Sequence, residues 1–252
     1  MSWVESSSPS FHARHESADA DDAARVLERL EHAREALDSV FPRTVEGLTV
    51  VLHRSPAQLA IAQPYLPLLQ RLTAPSGRRY LVGWFGSREI HVLAPRVLDR
   101  RASNVPGSRE LLALAPAALY AATVVGANNP DLPPPFRPGS FTRYVRWAWL
   151  AQGSAAYFSG QVAHVRPAVN RRLREGSAPS FPPALGDAPI LGGTVFDLLA
   201  RQEGEQAAAR LASRLHPDGP KAALVKAFHG RPLEAIEGAW RAHLSRLASA
   251  PI

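Results

Sequence analysis

The chain has no cysteine. A disulfide framework and thiolate metal sites are therefore excluded, and the absence says little about compartment. Lysine is nearly missing as well: of 29 basic residues only Lys221 and Lys226 are lysine, and the rest are arginine. No uninterrupted apolar run approaches the roughly 20 residues a membrane-spanning helix needs. The opening stretch, Met1 to Ser10, lacks the basic and apolar regions of a secretory signal. A cytoplasmic protein without a membrane span is the expectation. Phosphate-binding loops are missing too, since Gly192-Gly193 and the Gly83/Gly86 pair are too short for either glycine fingerprint. Gln152-Gly153-Ser154 is not a nucleophile elbow. No internal repeat is visible, and the only low-complexity patches are the Ser-rich start and Pro133 to Pro135.

What remains is ample for a packed protein. The 252 residues are 46 % apolar, enough for one large domain or two lobes sharing a site. The net charge is +7, with a pI near 10.5. Such a charge suits an anionic partner, a nucleic acid or an anionic surface. The arginines cluster only mildly, at Arg96, Arg100 and Arg101 and at Arg166, Arg171, Arg172 and Arg174. Aromatics do not interleave with them, which argues against nucleic acid.

Taken in order, Ser10 to Glu16 alternates like a strand. A helix follows from about Asp21 to Phe41, with Asp19, Asp21 and Asp22 at its positive end and Pro42 closing it. Val45 to His53 is the strongest strand pattern. Ser55-Pro56 caps a helix toward Leu72 that Pro64 and Pro67 should interrupt. Arg79 to Phe85 and Glu89 to Leu93 read as a hairpin about Gly86-Ser87. The centre of the chain is Ser108 to Gly160. It comprises an apolar helix from Glu110 to Val125, a Pro-rich loop from Asn128 to Ser140, and a second helix from Trp147 to Gly160. Beyond it the pattern is helical: Arg166 to Glu175, then a loop from Gly176 to Gly193. Four more helices follow, Thr194 to Gln202, Gly204 to Leu215, Pro220 to Phe228 and Pro232 to Leu247. The fold expected is α+β in a single domain, 1–252. An α/β lobe (1–107) precedes the central helix pair (108–160) and an all-helical lobe (161–252).

Trp149-Leu-Ala-Gln-Gly-Ser-Ala-Ala-Tyr-Phe158 resembles the W-L-x-E-G-x-A-x-Y-F segment of the gluzincin metallopeptidases, the thermolysin-related, peptidase MA-like group. Gly193 to Gly204 and Phe228 to His243 resemble later segments of the same group, so the likeness spans most of the chain in order. It implies an H-E-x-x-H helix upstream, where two histidines at i and i+4 hold zinc and the glutamate activates water. Leu114-Ala-Pro-Ala-Ala-Leu-Tyr120 occupies that place. Matched position by position, the two histidines are Pro116 and Tyr120, the base is Ala117, and the third-ligand glutamate is Gln152. A shift of one residue offers Ala115 and Leu119 instead.

The resemblance therefore implies a metallopeptidase homologue that has lost its zinc site: a pseudoenzyme with no cofactor, retaining the cleft to bind a peptide or protein. It also implies that Glu89 to Leu93 is the sheet edge to which peptide adds. The cleft residues would be Ile90, His91, Val92, Tyr120, Gln152 and Tyr157, with Tyr120 and Gln152 facing each other across the old metal position. A hydrolase re-using Tyr120, Gln152, His91 or Tyr157 without metal is an alternative, and a basic nucleic-acid or anionic-surface binder is another. His164 is a further residue within possible reach of the site. His15 and Asp19 have a metal-pair spacing, but at a strand end. An exposed strand histidine followed by a capping acid is the expectation there.

Overall fold

Alternation and capping act as expected in the first lobe of the computed structural model, which describes residues 3–86, 88–132 and 138–249. The elements are β1 (Trp3–Ser7), β2 (Phe11–Glu16), α1 (Ala20–Asp38), β3 (Leu48–His53), α2 (Pro56–Ala62), α3 (Leu66–Leu72), α4 (Pro75–Arg78), β4 (Gly83–Phe85), β5 (Glu89–Leu93) and α5 (Pro95–Arg101). Ser55 caps α2 by accepting from the Gln58 N–H, with Pro56 in the first turn. The helix stops before Pro64 and restarts with Pro67 in the first turn of α3. Ser87, in the expected hairpin turn, and Pro133 to Pro135, in the expected loop, lie outside the described residues.

The sheet order is β1-β2-β3-β5-β4. β2, β3 and β5 run parallel, and β1 and β4 are antiparallel outer strands. Two expectations are corrected. β1 was not anticipated; its side chains are mostly exposed, so it carries no alternation to read. Glu89–Leu93 is not an edge, because β5 pairs with β3 on one side and β4 on the other. The three residues Gly83–Phe85 form that edge.

One sheet face is apolar. Phe11, Ala13, Val50, Leu52, Ile90 and Val92 are fully buried there, and α1 and α7 (Ala115–Asn128) cover it. α7 follows a separate short helix, α6 (Ser108–Ala113), so the expected single helix is two. Leu114 is the junction, and Pro116 stands in the first turn of α7. There its missing N–H costs nothing, whereas mid-helix it would break a bond and clash one turn back.

Next come α8 (Phe141–Phe158), α9 (Arg166–Arg174), α10 (Ala188–Glu203), α11 (Glu205–Ala212), α12 (Pro220–Ala227) and α13 (Leu233–Ser249). α8 begins six residues earlier than its apolar pattern, and Trp147 leaves helical geometry inside it (φ −112°, ψ 15°), which kinks the helix. α10 begins within the expected loop, at Ala188 rather than Thr194. Its glycines are packing residues rather than loop residues: Gly192 lies backbone to backbone against Gly153 of α8. A continuous buried cluster runs from Phe11 to Leu244, and the architecture is α+β.

Candidate functional site

Behind the β4 edge lies a cavity of about 100 Å³, between β4, α7 and α8, with α10 on another side. α7 turns Ala115, Ala118, Leu119 and Ala122 toward it, and β4 contributes Trp84 and Phe85. α8 supplies two of its polar groups, Tyr144 and Gln152, beside Tyr80 and Gln161. The Gln152 amide donates from Nε2 to the Tyr144 hydroxyl at 2.8 Å. Eight residues of straight helix would separate the two by about 12 Å along the axis. The kink at Trp147, midway between them, folds one toward the other. Burial pushes the Tyr144 phenol far above its ordinary pKa, against the lowering effect of the Gln152 bond. The phenol is therefore neutral. Gln152 Oε1 is buried and accepts no hydrogen bond among the described residues.

The ladder geometry leaves β4 half-used. Leu93 N–H donates to the Val82 carbonyl and Gly86 N–H to the Glu89 carbonyl. In an antiparallel pair the bonded positions alternate. Gly83 and Phe85 therefore turn their N–H and C=O groups away from β5, toward the outer side of β4.

Of the anticipated cleft residues, only Gln152 lines this cavity. Tyr120 lies on the opposite side of α7, fully buried. Its hydroxyl donates to the Val45 carbonyl at 3.0 Å, and its ring meets Phe11 edge-on at 5.0 Å. Burial raises its phenol to about 12 despite the bond to Val45. Tyr120 and Gln152 thus do not face each other. One residue of helix is 100° of rotation, and the positions that look into the cavity belong to the shifted register, Ala115 and Leu119. Pro116 and Ala117 are buried and do not line the cavity.

Ile90 and Val92 are core residues. His91 is on the other sheet face, its Nδ1 3.0 Å from His53 Nε2, with the rings stacked at 5.3 Å. Burial, then the neighbouring His91, lowers His53 to about 4. Burial lowers His91 too, opposed by Glu89 at 3.3 Å. Tyr157 stacks on Phe196, on the far side of α8. Its phenol is raised by burial and then by Glu205 and Asp197. His164 does not line the cavity; its carbonyl backs onto Gly107. His15 is buried rather than exposed, bonded through Nε2 to Ser6 at 2.9 Å and through Nδ1 to the Glu16 carbonyl at 2.8 Å. Asp19 instead pairs with Arg54 and Arg96. Among the described residues no group of three His, Asp or Glu side chains could hold a metal ion.

Sequence reasoning missed Tyr144, Trp84 and Phe85. Tyr144 carries no local signal, because its position depends on the break at Trp147. The other two depend on which strand takes the edge. The cavity's described lining contains no carboxylate, imidazole, ammonium or guanidinium group. Its chemistry is that of an apolar chamber with amide and phenol groups beside a terminal strand. Comparison of the chain with protein-family models, with curated proteins and with solved structures gives no match.

Proposed function

We propose that the chain is a non-catalytic binding module on a metallopeptidase-like scaffold. An extended peptide adds to the outer edge of β4, the terminal strand, and places one apolar side chain in the cavity behind it. The observation that carries this reading is the outward-facing peptide groups of Gly83 and Phe85 beside that cavity. Main-chain bonds to an edge supply affinity, and a side-chain pocket supplies selectivity. A volume near 100 Å³ suits an aliphatic side chain. Gln152 Oε1, unpartnered among the described residues, favours a ligand group or water that donates to it.

Hydrolysis is less well supported. The cavity side of α7 is aliphatic, and Gln152 already engages Tyr144. The tyrosines, Gln152 and His91 of the rearranged-hydrolase reading do not converge.

Selection from a library of extended peptides on the purified protein tests the reading. Enriched peptides should share one apolar position. Ala118→Leu, which fills the cavity, should weaken them about tenfold, the effect of roughly 1.4 kcal/mol. No enrichment, or peptidase activity with one zinc per chain, sinks it.

A further inference from the structure

Outside the cavity, α2 and α3 carry exposed apolar side chains. Leu59, Leu66 and Leu69 hold the two helices to the core. Tyr65, Leu68 and Leu72 form an outer stripe on α3, at spacings of three and four residues, and Ile61 precedes them on α2. Ile61 is 83 % exposed and the other three are about half exposed. Isolated exposed apolar residues need no explanation, but three on one face of α3 with a fourth just before them in the chain do.

The C-terminal end of the stripe is cationic. Arg71 is exposed beside Leu72. Arg78 reaches back to the Thr73 and Arg71 carbonyls. Behind it, Arg79 and Arg101 each donate to the other's carbonyl. Burial, then the charge of Arg79, depresses the Arg101 guanidinium. Among the described residues no carboxylate pairs with any of these four arginines, so the positive field is not neutralised.

We propose that this face docks on an anionic lipid surface. Apolar side chains inserted at the headgroup boundary and flanking arginines against acidic headgroups are the two ingredients of interfacial binding. The stripe and Ile61 favour lipid over a folded partner. Their side chains project outward on two short helices broken at Pro64, and a fluid surface accepts them without a complementary groove. The inference is independent of the peptide reading, since no residue of the stripe lines the cavity.

Co-sedimentation with vesicles at low salt tests it. The full chain should pellet with phosphatidylcholine–phosphatidylglycerol vesicles and stay in solution with phosphatidylcholine alone. Arg71→Gln should weaken binding about fivefold, the effect of one cation near such a surface. Ile61→Ser with Leu68→Ser should weaken it about tenfold or more. Both changes are at exposed positions, so the thermal midpoint should hold. Ala118→Leu should leave vesicle binding unchanged, which separates this proposal from the peptide reading. No pelleting with anionic vesicles overturns the proposal. So does binding that needs Arg71 but not Ile61 and Leu68, matched by equal affinity for DNA. That pattern would identify a charge-only, polyanion surface.

Discussion

Gly153 and Gly192 meet backbone to backbone: a Cβ on Gly153 would stand 2.4 Å from the Gly192 carbonyl carbon, and one on Gly192 2.6 Å from the Trp149 carbonyl oxygen. Neither neighbour is a side-chain tip that can swing aside. The contact fixes how closely α8 and α10 approach, and so where Gln152, the residue before Gly153, enters the cavity. Gly153→Ala gains about 1 kcal/mol of helix propensity. It forces the two backbones apart at a cost of about 1–3 kcal/mol or more. Net destabilisation is the expected outcome, read as a lower denaturant midpoint with an unchanged m-value. Gly238, with open space around its Cβ position, is the control: Gly238→Ala should be neutral or stabilising. Equal effects at both glycines would show that the approach of α8 and α10 is not tightly set.

The Tyr144–Gln152 bond makes a second prediction. Tyr144→Phe removes the partner of a buried amide already short of one bond, at a cost of about 1–3 kcal/mol. Gln152→Leu alone leaves the Tyr144 hydroxyl without that donor. The double variant leaves neither group orphaned and should be more stable than the sum of the two losses. A double-mutant cycle in denaturant reads the coupling, which should be about 0.5 kcal/mol or more. Additive losses would mean that the bond contributes nothing beyond its parts.

Arg172 and Asp187 form a buried, two-pronged pair joining α9 to the start of α10, with one arm at 2.9 Å. Arg172 also donates to the Glu175 and Ser177 carbonyls. The bridge raises the pKa of the guanidinium, chiefly through its hydrogen bond to Asp187. Arg172→Met leaves a buried carboxylate without its cation, and breaking such pairs costs about 3–5 kcal/mol. Adding Asp187→Asn should restore part of the loss. If the single variant unfolds at the wild-type denaturant concentration, solvent reaches Asp187.

Acid should loosen the sheet face that carries the two histidines. His53 titrates near 4 in the folded chain, below its ordinary 6.5. Below about pH 6.5 the unfolded chain binds a proton that the folded chain refuses. Stability is therefore complete above that pH and declines as pH falls toward 4. His53→Gln should flatten this part of the profile, measured as the urea midpoint between those limits. A slope unchanged by the substitution would assign the acid sensitivity in that range to His91, which burial also lowers; Asp197, whose pKa is lowered from the carboxylate range, acts only at lower pH.

The elements that were readable from the chain are those whose signals are local. The Ser55 cap, Pro67 at the restart of α3 and the stripe of α1 each lie within one or two turns of the helix they define. The site was not local. Whether β4 or β5 takes the edge depends on pairing with β3. Tyr144 reaches Gln152 only through a kink at Trp147, in a run that otherwise reads as helix. Gly192-Gly193 has loop composition and becomes helical because Gly153 and Ala156 need small neighbours there. The facing of Tyr120 turned on a single residue of register, and no periodicity in so apolar a segment distinguishes one side of α7 from the other.

That register can be tested by building what the resemblance implies is missing. Ala115 and Leu119 are one turn apart on the cavity side of α7, and Gln152 reaches the same cavity from α8. Ala115→His, Leu119→His and Gln152→Glu together place two imidazoles and a carboxylate around one space, the donor set of a catalytic-type zinc site. The triple variant should take up about one zinc per chain by elemental analysis and melt higher with zinc than with chelator, because binding to the folded state stabilises it. The register that the motif first suggests should fail. Pro116→His and Tyr120→His put one imidazole among buried neighbours and the other where Tyr120 bonds Val45, so that variant should bind no zinc and lose stability. Zinc bound by the Pro116/Tyr120 design and not by the Ala115/Leu119 design would reverse the assignment of the faces of α7. Zinc bound by neither would mean that α7 and α8 are not placed as a metallopeptidase places its ligands, and the likeness of the Trp149–Phe158 segment would then rest on helix packing alone.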